Sequence, residues 1–146
     1  NIITYSALIS ALERAGEWEQ AFGFFDELQQ RGLEPNIVTY SAMITVCERA
    51  GHWDKALDLF AELQERGLAP NIITYSALIS ALERAGEWEQ AFGFFDELQQ
   101  RGLEPNIVTY SAMITVCERA GHWDKALDLF AELQERGLAP NIITYS

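Results

Sequence analysis

The chain has 146 residues, 49% of them hydrophobic, so it carries ample apolar side chain for a continuous core. No apolar run approaches the ~18 residues that a membrane span needs, so the expectation is a soluble protein with no membrane partner. Ten Lys and Arg against 22 Asp and Glu give a net charge of −12, which excludes the generally basic balance of most nucleic-acid binders. Any basic stripe must therefore be sought position by position.

Residues 1–76 are identical to residues 71–146, and a shorter imperfect repeat of 35 residues lies inside that period. The chain divides into a single array of units 2–36, 37–71, 72–106 and 107–141, with residues 142–146 opening a fifth. In the first unit, Thr4 is placed to cap a helix with its hydroxyl. Tyr5, Leu8, Ile9 and Leu12 follow at helical spacing, and Gly16 supplies the left-handed residue common past a helix end. A second helix is predicted over Trp18 to Arg31, with Trp18, Ala21, Phe22, Phe25 and Leu28 on its buried face. Gly32 ends it, and Pro35 keeps the chain extended before the next unit.

The second unit repeats this pattern with Tyr40, Met43, Ile44 and Cys47, then Trp53, Ala56, Leu57, Phe60 and Leu63. Cys47 and Cys117 replace the leucines of the other units, so they read as buried, inert thiols. His52 and His122 sit at a helix entry and read as surface caps. Short connections force neighbouring helices antiparallel. The predicted fold is all-α, a right-handed α-α superhelix (solenoid) of stacked hairpins with first helices on one face and second helices on the other.

A 35-residue hairpin reading T-Y-S-A-[LM]-I, E-R-A-G, A-[FL]-x-[FL]-F-x-E-L and R-G-L-x-P-N resembles the pentatricopeptide repeat family over essentially the whole chain. The resemblance implies binding of single-stranded RNA in a mitochondrion or chloroplast, about one base per repeat. It implies that bases are read by Ser6 with Asn36, Ser41 with Asn71, Ser76 with Asn106, and Ser111 with Asn141. A small hydroxyl paired with Asn is the combination the family associates with adenine, so the implied partner is A-rich RNA. It further implies that Ile3, Val38, Ile73, Val108 and Ile143 sandwich the bases, and that Arg14, Arg49, Arg84 and Arg119 face phosphates. Each position also has a plain structural reading. Ser near a helix start serves the local backbone, Asn after Pro is a turn residue, and an aliphatic residue packs between units.

Beside each Arg stands an acid (Glu13, Glu48, Glu83, Glu118), so the first-helix row is nearly neutral. Most other acids fall on the second helices, where they read as a solvated outer face. Perfect repetition without polar capping units supports a second reading, a scaffold that self-associates head-to-tail into a filament. No Ser-His-Asp set, metal cluster or phosphate loop is present. The expectation is accordingly a non-enzyme with no cofactor and no small-molecule substrate.

Overall fold

The computed structural model describes residues 1–138. Among them are eight helices: α1 (Ile2–Ala15), α2 (Trp18–Gln30), α3 (Ile37–Ala50), α4 (Trp53–Glu65), α5 (Ile72–Ala85), α6 (Trp88–Gln100), α7 (Ile107–Ala120) and α8 (Trp123–Glu135). The chain is an all-helical solenoid of hairpins, α1 with α2 through α7 with α8.

The caps of the odd-numbered helices lie three residues before the predicted position. Asn1, Asn36, Asn71 and Asn106 occupy the cap positions, and each accepts the backbone N–H of the Thr three residues on. Thr4 is thus an interior residue of the first turn, a correction to its expected role as cap. Asn outcompetes Thr because its carbonyl reaches an orphan amide while its own backbone stays extended, with φ −104° and ψ −178° at Asn36. At the other end Gly51 closes α3 with φ 80°, a conformation that would strain any residue with a Cβ. The even-numbered helices lack side-chain caps. His52 stands at the cap position of α4 without a capping hydrogen bond, which corrects the surface-cap reading. Its ring instead meets Phe22 edge-on, 6.4 Å between centroids.

Packing follows from the faces. Helices α1, α3, α5 and α7 stack in succession, and each even-numbered helix through α6 packs on its own partner and on the next odd-numbered helix. The odd-numbered helices therefore form the inner layer, with α3 and α5 covered on several sides. Met43, Ile44, Cys47, Leu78, Ile79 and Leu82 are completely buried. Burial pushes the Cys47 thiol up to about 12, as expected for an inert core cysteine.

One polar link ties each of the first three hairpins. Tyr5, Tyr40 and Tyr75 donate their hydroxyls to Glu27, Glu62 and Glu97 on the second helix, at 2.6, 2.5 and 2.5 Å. Burial and the accepting carboxylate together hold the Tyr40 and Tyr75 hydroxyls protonated well above the usual range. Some of the acids expected on the solvated face are thus structural acceptors. Tyr75→Phe removes a charge-assisted bond, and we expect it to lower stability by about 1.5–3 kcal/mol, measured by urea unfolding.

Candidate nucleic-acid interface

The inner helices place three rows of side chains side by side. The first is aliphatic and exposed: Ile3, Val38, Ile73 and Val108 retain 74%, 55%, 60% and 52% of their accessible surface. Such exposure rules out packing between units as the explanation for this row.

The second row is a hydrogen-bonded chain at each junction between units. Ser6 Oγ lies 2.7 Å from Thr39 Oγ1, and Thr39 Oγ1 donates to Asn36 Oδ1 at 2.8 Å. The Thr39 backbone N–H donates to the same oxygen at 2.9 Å. Ser41 with Thr74 and Asn71, and Ser76 with Thr109 and Asn106, repeat the arrangement. Ser6 and Ser76 also approach the Asn directly, at 3.5 and 3.4 Å. The plain reading of Asn thus holds in part, since it caps its own helix, whereas Ser6, Ser41 and Ser76 bond a side chain of the next unit and not the local backbone. Ser6, Ser41 and Ser76 are buried, Ser111 is half-buried, and the three Asn residues are half-buried. Asn141 and Ile143 lie outside the described residues.

Between two members of the aliphatic row these groups line a concavity. Val38 and Ile73 flank it, Ser41 and Asn71 form part of its lining, and Glu13 and Arg14 also border it, enclosing 260 Å³. Apolar walls with a few convergent polar groups are the ordinary composition of a ligand slot.

The third row departs from expectation. Arg49, Arg84 and Arg119 pair with Glu13, Glu48 and Glu83 of the preceding unit at 3.0, 2.6 and 2.9 Å. The cations expected to stand free for phosphates are engaged in a ladder along the inner layer. Among the described residues Arg14, whose equivalent partner would belong to a unit before the first, makes no ion pair. The guanidiniums stay half-exposed while the carboxylates are largely covered. Burial raises the Glu48 carboxyl above its ordinary value, and the opposing pull of Arg84 and Arg49 does not cancel it. Sequence reading treated Glu and Arg as neighbours on one helix. Its missed signal is the E-R pair recurring at every repeat, which lets Glu of one unit meet Arg of the next.

Thr39, Thr74 and Thr109 were also missed. They are completely buried and central to the second row. No cluster of three or more His, Cys, Asp or Glu residues that could hold a metal occurs among the described residues, and no helix among them is long and apolar enough to cross a membrane.

A family model of the PPR repeat matches at residues 1–49, 35–84, 72–119 and 105–146. The chain belongs to the PPR repeat family. Its structure is similar to that of the pentatricopeptide repeat protein PPR10 in complex with an 18-nt psaJ RNA element. That match has 35% identity and a TM-score of 0.83, and covers 99% of this chain and 21% of the other. PPR10 from maize in a further crystal structure matches at 20% identity, with 99% and 21% coverage and a TM-score of 0.78. The PPR domain of Arabidopsis thaliana protein-only RNase P 1, in complex with tRNA, matches at 19% identity and a TM-score of 0.84, with 98% and 76% coverage. The chain thus spans about a fifth of the length of PPR10. Among curated proteins none is similar enough to match.

Proposed function

We propose that this PPR array is a modular single-stranded RNA-binding solenoid that takes one base per repeat and prefers adenine. The observation that carries the reading is the concavity between Val38 and Ile73, whose lining includes Ser41 and Asn71. The two aliphatic side chains suit the faces of a flat ring, and the Ser–Asn pair suits an edge that offers both a donor and an acceptor. PPR10, the 35% identical neighbour, is held in complex with RNA, which supports RNA as the ligand class.

In this reading Ile3, Val38, Ile73, Val108 and Ile143 sandwich bases. The edges are read by Ser6 with Asn36, Ser41 with Asn71, Ser76 with Asn106 and Ser111 with Asn141. Phosphates fall to Arg14, Arg49, Arg84 and Arg119, three of which must share or release their glutamates. Affinity then rests mainly on base contacts, and its dependence on salt is shallow. The head-to-tail filament or scaffold is not favoured, because the family match and the RNA-bound neighbours support RNA binding.

The test is a fluorescence-anisotropy titration with A-rich, U-rich and C-rich single strands at moderate salt. We expect the A-rich strand to bind tightest, by at least about tenfold over three or more repeats if each mismatched edge strands one polar group. Absence of binding to every strand would remove the reading.

A further inference from the structure

Hydrogen positions in the Ser–Thr–Asn chain follow from elimination. The Thr39 backbone N–H can only donate, so the atom 2.9 Å away on Asn36 must be its carbonyl oxygen, and the amide nitrogen faces the other way. Thr39 Oγ1 stands 2.8 Å from that same oxygen, and the one hydrogen between them belongs to the Thr hydroxyl. Ser6 Oγ stands 2.7 Å from Thr39 Oγ1, whose hydrogen is already committed, so Ser6 donates. The same elimination runs through Ser41, Thr74 and Asn71, and through Ser76, Thr109 and Asn106. What remains to meet a ligand is an Asn amide that can only donate and a Ser oxygen with only lone pairs left.

We propose that Thr39, Thr74 and Thr109 are positioning residues that fix this polarity, so that each step accepts adenine and rejects its shape-matched keto counterpart. The inference rests on the RNA-reading function above. Adenine offers the N1 acceptor to Asn and the N6 amino donor to Ser. Hypoxanthine has the same outline but reverses both, with N1–H facing the Asn donors and O6 facing the Ser lone pairs. None of the three Thr residues has exposed surface with which to touch RNA. They act by withholding the Ser hydrogen, which would otherwise rotate outward and satisfy O6.

The experiment compares an oligoadenylate with the same strand carrying inosine, on the wild-type chain and on Thr39→Val/Thr74→Val/Thr109→Val. Valine keeps the shape and the backbone N–H that caps onto Asn, but removes the acceptor 2.7–2.8 Å from each Ser hydroxyl and leaves Ser6 and Ser76 only the long approaches of 3.5 and 3.4 Å to Asn. We expect the adenine-over-inosine ratio to fall about tenfold in the Val variant, chiefly by tighter inosine binding, and to return with Thr→Ser at the same positions. A purely structural role would instead weaken both strands equally. Circular dichroism monitors folding; should the triple variant unfold, Thr74→Val alone is expected to lower the ratio about twofold. A folded Val variant with the wild-type ratio overturns the role of Thr while leaving RNA reading intact. A wild-type chain that binds neither strand removes the function, and this role with it.

Discussion

Replacing Asn36, Asn71, Asn106 and Asn141 with Asp is expected to move base preference from adenine to guanine while leaving the fold in place. Asp caps a helix as well as Asn does, and one carboxylate oxygen can take over the bonds that the amide oxygen accepts from the Thr39 N–H and hydroxyl. The change is confined to the outward atom, where an amide that only donates becomes an oxygen that only accepts. With the Ser oxygen also accepting, each step then presents two acceptors. Guanine alone among the four bases carries two adjacent donors on that edge, and seated one atom further along than adenine it offers N1–H to Ser and the N2 amino group to Asp. Adenine places its N1 lone pair against the carboxylate, at a cost of about 1 kcal/mol or more per step, so several repeats together reverse the preference by roughly 100-fold or more. Four further negative charges weaken all RNA binding, so the measurement is the ratio of affinities for guanine-substituted and unsubstituted adenine strands across a salt series. An unchanged ratio in a variant with the wild-type unfolding curve would mean that these side chains cap helices and nothing more.

Much of this molecule was legible in its sequence because repetition exposes it. Gly16 and Gly51 mark the helix ends, and Tyr40, Met43, Ile44 and Cys47 define a face that is completely buried. The family resemblance pointed to the Ser and Asn positions as a pair, and the structure brings both onto the same Thr hydroxyl at each described junction. Contacts that cross between units were not legible. Thr4 looked like a cap because a hydroxyl before an apolar run is a common helix start, and only the fold shows Asn1 claiming the amide first. Thr39 sits 33 residues from its Ser6 partner, and Arg49 pairs with Glu13 across 36. Such distances have meaning only once the rise from one unit to the next is known, because no local pattern encodes which carboxylate lies opposite which guanidinium.

That ladder carries the second large expected effect. Glu13→Gln, Glu48→Gln and Glu83→Gln together release Arg49, Arg84 and Arg119 from their partners and remove three negative charges from the inner face. Each freed guanidinium can then meet a phosphate with two parallel hydrogen bonds. RNA binding should tighten at low salt, and the logarithmic salt slope should steepen by about 0.7 for each phosphate gained, about 2 in all. The fold should tolerate the change at Glu48. Its carboxyl is raised by burial, so the folded state prefers the neutral form that Gln imitates. Stability linked to that proton is present below the ordinary carboxylate range and lost as pH rises through the raised value. Glu48→Gln should therefore stabilise the chain at neutral pH, with the advantage vanishing in acid. The wild-type chain should bind RNA more tightly as Glu48 takes up its proton and loosens Arg84, a pH response that the Gln variant lacks. Anisotropy titrations across salt and pH read both effects. Should the slope stay the same with the glutamates gone, the arginines serve only to join one unit to the next.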